Sequence, residues 1–413
     1  MGNCIDLDLQ NKSSIKRSRK IKDYLIILLL FILLLIVNFS QLTYKTEVER
    51  TLTFTLTIKV TYENKDLHET WILTEKDISL GLFMNNSWQT VYLTHASYTI
   101  RKFIYDSDGN LLALLDIGDA TLSPNEKIGY NVTYKLVFKH RDIPTISEDE
   151  SGTLKDIPEN LRDKYCKPTR LWPSNSTIFR KKALDIANNE TKVLTIVKKF
   201  VEWIANNIRY YSSEVPKYPN ETISSYKGDC DDQANLLITF CRSIGIPAYL
   251  QIGCIYISQY SVNRTYWNGH LVIRQNRIGW HGWAMVYIPP WGWLPVDLTY
   301  VKGDLRKEPL NSIKFSALLS EYTFQYLNIV ETDYAAEARN LKDFLEKHEF
   351  YIYEEDEMRE NNIEELPSGL ILIPTFIIYS SSDFNHLNIN IKFKFYRMRI
   401  VYMVKHSFQE FVS

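Results

Sequence analysis

The chain has 413 residues, of which 45% are hydrophobic and 23% are charged. This length suffices for two or three domains, and the composition is typical of globular protein. The formal net charge of −1 gives no support to nucleic-acid binding by bulk positive charge, so no nucleic-acid partner is predicted. The 27 tyrosines, beside 15 glycines and 14 prolines, favour sheet-rich folded domains over disordered tracts.

One segment near the N-terminus differs from the globular remainder. Within residues 23–42, the run from Tyr24 to Val37 carries no charged side chain, and the segment has about the 20 residues that a bilayer-spanning helix needs. Five basic residues lie in residues 16–22 and only Lys45 follows closely, so the positive-inside rule predicts a cytoplasmic N-terminus. We predict an uncleaved signal anchor, with the rest of the chain outside the cell membrane. A cleaved signal peptide and a buried helix of an intracellular protein are the alternatives.

The six Asn-x-Ser/Thr sequons that follow residue 42 agree with an outside location, although chance also produces sequons in such a chain. They begin at Asn85, Asn131, Asn175, Asn189, Asn220 and Asn263.

Four of the five cysteines would then lie outside, and Cys4 would be cytoplasmic. A disulfide between Cys241 and Cys254 is the favoured pairing because the two are close in sequence. Two buried thiols are the alternative.

Alternating apolar residues and turn signals predict strands over residues 44–140, including Thr51 to Thr61 and a hairpin around Asp108-Gly109. We predict a small β-sandwich-like domain there. A proline-containing connection over residues 141–178 and a core over residues 179–305 follow. In the core, apolar spacing predicts a helix from Thr191 to Asn207.

Residues 306–413 are predicted to form a C-terminal α+β extension. Residues 334–360 suggest a charged helix, and residues 370–379 and 387–404 suggest strands. The overall fold class is therefore predicted as α+β.

The most informative stretch is KGDCDDQANLLITFCRSIGIPAY, from Lys227 to Tyr249. Its apolar residues fall at helical spacing from Cys230, which places this cysteine at the first turn of a buried helix. The free N–H groups and dipole of a helix N-terminus stabilise a thiolate, whereas the neighbouring aspartates oppose it. We therefore expect a histidine partner for Cys230. A metal site in the Asp-Cys-Asp-Asp cluster is an alternative, although no oxygen-ligand loop spacing follows it.

A predicted hairpin supplies this histidine. Residues 280–288 and 293–299 flank a Pro-Pro-Trp-Gly loop, and folding the chain about Pro289 makes His281 and Asp297 cross-strand neighbours. An aspartate beside an imidazole fixes its tautomer and stabilises the imidazolium, as in a catalytic triad. His270 has no such carboxylate mate. Trp283, Trp291 and Trp293 on this hairpin are candidates for a substrate groove, and packing is the equal alternative.

These motifs together resemble the transglutaminase-like superfamily: Gly228 to Ala234, Gly245 to Ala248, His281 to Ala284 and Gly292 to Thr299 stand in the family's order. The resemblance covers about residues 180–300 and is nearest to prokaryotic membrane-anchored members. It implies a papain-like core in which Cys230 is the nucleophile, His281 the general base and acid, and Asp297 the orienting carboxylate. The family includes transglutaminases, cysteine peptidases and peptide-N-glycanases, so the implied substrates are protein or peptide amides, here at the cell surface.

The sequence departs from the family pattern at Met285, where many members carry an acidic residue. The family's upstream oxyanion-hole side chain is not evident, and Tyr210, Tyr211 and Trp203 are candidates. No cofactor and no metal is predicted. A thiol peptidase, amidase or transglutaminase is the favoured function, with hydrolysis ahead of transamidation. A catalytically inactive surface module that binds a protein partner is the alternative.

Overall fold

The computed structural model describes residues 52–361 and 371–372. Helices and strands are numbered here in chain order within this part of the chain. The strands are β1 (Leu52–Asn64), β2 (Trp71–Ile72), β3 (Ser79–Gly81), β4 (Gln89–Ala96), β5 (Ile100–Tyr105), β6 (Leu111–Leu115), β7 (Thr121–Leu122), β8 (Lys127–Phe138), β9 (Arg209–Tyr210), β10 (Lys227–Gly228), β11 (Ala248–Tyr266), β12 (Leu271–Ile288), β13 (Gly292–Val296), β14 (Thr323–Ile329), β15 (Phe350–Asn361) and β16 (Ile371–Leu372). The helices are α1 (Glu159–Tyr165), α2 (Thr177–Ala187), α3 (Val193–Asn207), α4 (Pro219–Ser225), α5 (Cys230–Ser243), α6 (Asn311–Lys314), α7 (Ala317–Ser320) and α8 (Tyr334–Lys347).

One mixed sheet organises the described residues. Its strand order is β14-β11-β12-β15-β1-β8-β4-β16, and β13 pairs with the C-terminal end of β12. The β12–β15 pair is parallel and the other pairs are antiparallel. Helix α5 packs against β11 and β12, which brings the predicted cysteine helix onto the strand that carries His281.

Strand β15 joins the two halves of this sheet. It pairs with β1 over the whole length from Thr53↔Asn361 to Asn64↔Phe350, and with β12 from Leu271↔Ile352 to Asn276↔Glu357. The strand comes from the segment predicted as a C-terminal extension. That segment is therefore an internal part of the sheet rather than an appendage.

The N-terminal strands form much as the sequence predicts, but their assembly differs. The hairpin of β5 and β6 turns at Gly109, whose φ of +83° suits glycine. The sheet of β3, β6 and β5 packs on the large sheet, where Phe83 contacts Tyr134 and Trp280. The large layer of this sandwich is shared with the core strands, because β1, β4 and β8 belong to the same sheet as β11, β12 and β15. Period-2 alternation shows that a strand has one buried face, but it leaves open which strands lie beside it.

The predicted charged helix over residues 334–360 is also corrected. Helix α8 ends at Lys347, and the remaining residues form β15. Within β15 the side chains alternate between buried and half-buried, and the buried set includes the charged Glu354 and Asp356. Because charged residues occupy buried positions, the alternation of polar and apolar residues that would predict a strand is missing here.

Among residues 52–361 and 371–372, no helix is long and apolar enough to cross a bilayer. The predicted anchor over residues 23–42 lies outside the described residues, as do the predicted strand over 387–404 and most of that over 370–379.

The sequons differ in accessibility. Asn175, Asn189, Asn220 and Asn263 are exposed and Asn131 is half-buried. Asn85 is buried, and its side-chain oxygen accepts the Val91 N–H at 2.6 Å.

A buried guanidinium ties the N-terminal strands to the later part of the chain. Arg141 donates to the carbonyl oxygens of Leu318 and Thr323 at 2.5 and 3.0 Å, and to the side-chain oxygen of Gln89 at 3.3 Å. Burial lowers the pKa of Arg141 to about 9. The cost of burial is offset only if these acceptors remain in place.

We expect Arg141→Met to lower the free energy of unfolding by about 3 kcal/mol, because two buried carbonyls lose a charged donor. Urea unfolding measures the change. The control is Arg101→Met, which removes only a solvent-exposed pair with Glu75 and should cost less than about 1 kcal/mol. Equal losses in the two variants would contradict the structural role of Arg141.

Candidate active site

Cys230 is the first residue of α5, a helix that begins inside the protein. All residues of α5 are buried, so its first N–H groups cannot be satisfied by water. Asp229 caps the helix by accepting the N–H of Asp232, and the Asp232 carboxylate accepts the N–H of Asp229 in return. The second oxygen of Asp232 accepts the Lys217 N–H at 2.7 Å. These carboxylates fix the turn that carries Cys230.

His281 and Asp297 meet as the sequence predicts. The distance from His281 Nε2 to Asp297 Oδ2 is 2.8 Å, and both side chains are buried. The strand register differs from a simple fold about Pro289, because Ile288 pairs with Gly292 and Ala284 with Val296. Asp297 lies just past the end of β13 and reaches His281 diagonally across the hairpin.

Four donors hold the Asp297 carboxylate. Its Oδ1 accepts the N–H groups of Thr299 and Tyr300 at 3.0 Å each, and its Oδ2 accepts from His281 and from the Ala317 N–H at 3.2 Å. A carboxylate fixed in this way holds the imidazole with Nε2–H toward Asp297. Nδ1 is then the ring nitrogen for proton exchange with a nucleophile.

The Cys230 sulfur lies beside this pair. The backbone N–H of Gly282, the residue after His281, donates a hydrogen bond to it. Burial raises the pKa of the Cys230 thiol well above its ordinary value, and the charges of Asp231 and Asp229 raise it further. The sequence argument predicted competition between the helix N-terminus and the aspartates. In the folded protein, burial and the aspartates outweigh the helix N-terminus and raise the pKa of the thiol.

The candidate triad is closed to solvent. The exposed fractions of Cys230, His281 and Asp297 are 2%, 0% and 1%. Tyr210 and Tyr300 belong to a small apolar cluster with Ile255, Ile257 and Ala317. The Tyr300 ring centroid lies 6.0 Å from that of His281, and burial raises the pKa of Tyr300 to about 12. For an acyl donor to reach the sulfur, side chains of this cover must move.

The structure separates the three predicted oxyanion-hole candidates. Tyr210 is adjacent to the site: burial raises its pKa, with further contributions from the Cys230, Asp229 and Asp231 charges. Tyr211 is 49% exposed and lies under the ammonium group of Lys217. Trp203 packs against Phe240, on the later part of α5. Of the three, only Tyr210 therefore remains a candidate hydrogen-bond donor to an oxyanion.

The three tryptophans predicted to line a groove lie in different settings. Trp283 is buried, and its ring covers Gly253 so closely that a Cβ there would be 2.6 Å away. Trp293 is half-buried and packs on Tyr165 and Tyr249 at centroid distances of 4.8 and 4.9 Å. Trp291 is half-buried in the hairpin loop. Trp283 packs on Gly253 and its ring centroid lies 5.8 Å from that of His281. A substrate role for each of the three tryptophans stays a prediction.

The carboxylates of Asp229, Asp231 and Asp232 have oxygens within 4.8 Å of one another. Asp229 and Asp232 cap the helix, and Asp231 accepts a hydrogen bond from Tyr334. These hydrogen bonds explain why the three carboxylates lie close together, so we assign no metal ion to them.

The predicted Cys241–Cys254 disulfide is absent from the described residues, where none of Cys166, Cys230, Cys241 and Cys254 forms a disulfide. Cys241 interacts electrostatically with Cys166, whereas Cys254 interacts with Asp356. The predicted pairing is wrong, because two cysteines that are close in sequence have different neighbours in the folded protein.

Several contributors to the site carry no signal in the sequence. The Gly282 and Ala317 N–H groups act through the backbone, which any residue but proline offers. Tyr300 and Tyr334 reach the site from beyond the recognisable motifs. Of the tyrosines at the site, only Tyr210 is predicted from the sequence.

Residues 180–298 match the protein-family model described as the transglutaminase-like superfamily. This chain contains a transglutaminase-like domain. Cys230, His281 and Asp297 all lie within the matched residues, whereas Ala317 and Tyr334 lie outside them. The search of curated protein sequences gave no significant match.

Two solved structures are similar to the chain that contains this transglutaminase-like domain. A protein of Cytophaga hutchinsonii, provisionally described as a cysteine protease, is 15% identical with a TM-score of 0.46, covering 77% of this chain and 93% of its own. A protein of Parabacteroides distasonis, provisionally described as a protease, is 11% identical with a TM-score of 0.18, covering 58% of this chain and 67% of its own.

We expect Asp297→Ala to lower the free energy of unfolding by about 3 kcal/mol, because four N–H donors, two of them buried, lose their acceptor. Asp297→Asn retains one accepting oxygen for the Thr299 and Tyr300 N–H groups and should cost about 1 kcal/mol. Urea unfolding of the two variants measures the difference. A loss in Asp297→Asn as large as in Asp297→Ala would show that the four hydrogen bonds do not determine the stability of this site.

Proposed function

We propose that the protein is a thiol enzyme that acts on amide bonds of proteins or peptides through Cys230, His281 and Asp297. The single observation that supports this most is the 2.8 Å contact between His281 and Asp297, next to a sulfur that accepts the Gly282 N–H. A structural cysteine has no need of an oriented imidazole beside it. The match of residues 180–298 to the transglutaminase-like family supports the same assignment.

The proposed reaction begins with the neutral thiol. His281 takes the Cys230 proton at Nδ1 while its Nε2–H donates to Asp297, and the sulfur attacks the substrate carbonyl carbon. The C–N bond breaks, the leaving amine takes the proton from His281, and a thioester remains on Cys230. Water then releases an acid in a peptidase or amidase, and an amine releases a new amide in a transglutaminase. We favour water, because the sequence identifies no amine-binding site.

Stabilisation of the oxyanion falls to groups near the sulfur. The Cys230 N–H at the start of α5 is one proposed donor, and the Tyr210 hydroxyl is the other. Trp291 and Trp293 are proposed to contact the acyl donor once the cover over the site has moved.

One observation favours a second function, that of a non-catalytic surface module. The complete burial of all three residues keeps the thiol protonated and out of reach. In this alternative the domain binds a protein partner and Cys230 serves packing.

An activated ester separates the two functions, because it needs no knowledge of the natural substrate. We expect 4-nitrophenyl acetate to give one equivalent of 4-nitrophenolate and an acetyl group on Cys230, located by peptide-resolved mass spectrometry. Loss of proton transfer in His281→Ala should slow this burst by about 100-fold. Cys230→Ser is the control and should give no burst. Equal acetylation rates in the wild type and His281→Ala would reject the enzyme and leave the binding module.

We further propose that residues 23–42 anchor the protein in the cell membrane and that the domains lie outside. Support comes from the basic residues before this segment and from the exposed sequons after it.

In a eukaryotic secretory host, we expect glycans at exposed sequons such as Asn175 and Asn263, measured as a mobility shift on treatment with a glycan-removing amidase. Asn85 should be empty in the folded protein because its side chain is bonded inside. Asn175→Gln should remove one step of the shift, and Asn85→Gln is the matched control that should remove none. A chain without any glycan would contradict the outward orientation.

A further inference from the structure

A residue from the C-terminal part of the chain contacts the first turn of the cysteine helix. Tyr334, the first residue of α8, donates its hydroxyl hydrogen to Asp231 Oδ2 at 2.7 Å. Asp231 directly follows Cys230 and is fully buried, as is Tyr334. The contact lies outside the family match at residues 180–298, so the motifs do not account for it.

This hydrogen bond belongs to a buried network. The side-chain amide of Asn235 donates to the Tyr334 oxygen at 2.5 Å, and the indole N–H of Trp172 donates to the Asn235 oxygen at 3.0 Å. All four side chains are buried. These hydrogen bonds restrict the Tyr334 side chain to one conformation, because its hydroxyl group bonds to two side chains of α5 at once.

The bland explanation for Asp231 is an acidic residue that favours the helix N-terminus. Asp229 and Asp232 already cap this helix through their hydrogen bonds with its backbone. Asp231 points to another element instead, and no lysine, arginine or histidine among the described residues forms an ion pair with it. The Asp231 carboxylate faces a tyrosine rather than a cation, and its charge acts on the adjacent Cys230 as well as on Tyr334 and Tyr210.

The charges of Asp231, Asp229 and Asp297 raise the pKa of the Cys230 thiol beyond the effect of burial, whereas the Gly282 N–H lowers it. Other titratable groups also lie around the first turn of α5. Asp229, Asp231 and Asp232 lie on or next to α5, His281 on β12, Asp297 beyond β13, and Tyr210 on β9. Only His281 among them can become a cation. Asp297 supports the imidazolium directly, whereas Asp231 opposes the thiolate.

We propose that Tyr334 is a positioning residue for Cys230: it holds the Asp231 carboxylate beside the sulfur, so that the proton stays on the sulfur until His281 takes it with an acyl donor bound. This inference rests on the proposed function of Cys230. It makes α8 part of the catalytic unit, and it explains why the domain continues structurally past the matched residues. The raised pKa of the Cys230 thiol, due first to burial and then to Asp231, agrees with this role.

The test uses the full-length protein and the rate of iodoacetamide modification at Cys230, resolved by mass spectrometry from pH 6 to pH 10. Asp231→Asn removes the charge but keeps an oxygen for the Tyr334 hydroxyl. We expect its apparent pKa for Cys230 to fall by about one unit, which is about a 10-fold faster reaction below that pKa. Tyr334→Phe releases the carboxylate from its anchor and should shift the profile the same way, by less.

Two controls make the result specific. Tyr134→Phe removes another buried hydroxyl, which donates to the Gly81 oxygen at 3.1 Å, and should leave the Cys230 profile unchanged. In the Asp231→Asn background, Tyr334→Phe should add no further shift, because the charge that it positions is gone. Melting temperatures show whether each variant folds.

An unchanged or raised apparent pKa in folded Asp231→Asn would overturn the inference, and so would equal profile shifts in Tyr334→Phe and Tyr134→Phe. These outcomes are independent of the proposed function. If the ester burst depends on His281 but the pH–rate profile of Cys230 is the same in Asp231→Asn, the proposed enzyme function is supported and the positioning role is rejected. If the burst rate is the same in His281→Ala, the proposed function is rejected, regardless of the Cys230 profile in Asp231→Asn.

Discussion

A helix that begins inside a protein has to satisfy its first backbone N–H groups without water, and the candidate site follows from this constraint. The N–H groups at the start of α5 have only side chains to bond, and Asp229 and Asp232 supply the carboxylates. Cys230 stands between these caps. The acceptors that make the buried turn possible also surround the sulfur with negative charge.

That charge changes what is expected of the cysteine. A cysteine at an exposed helix N-terminus tends toward a thiolate, whereas burial and the aspartates keep Cys230 protonated here. Under the proposed function, the His281–Asp297 pair is the group that removes this proton. A closed and neutral resting site is compatible with an enzyme only if the cover formed with Tyr210 and Tyr300 moves.

The sheet gives the site its frame. Strand β15 lies between β1 and β12, so strands from the beginning, middle and end of the described chain share one sheet. Ala317 and Tyr334 reach the site from the segment between the hairpin and β15. The matched family residues therefore contain the candidate triad, while the later residues Ala317 and Tyr334 hydrogen-bond to Asp297 and Asp231.

The sequence by itself determined the local chemistry. Helical spacing placed Cys230 at a first turn, and the hairpin pattern brought His281 to Asp297, because both relations depend on neighbours within a short stretch of chain. The strand β1 and the β5–β6 hairpin were predictable for the same reason. The anchor over residues 23–42 lies outside the described residues and stays a prediction.

Only the tertiary structure decided which elements meet. Alternation in β1 does not name β15 as its partner, and residues 348–360 look helical until their alternate burial is seen. Closeness in sequence suggested a Cys241–Cys254 disulfide that the separate surroundings of these thiols do not provide. The protonation of Cys230 was likewise undecided, because the pKa of a thiol depends on burial and on charges whose distances the sequence does not contain.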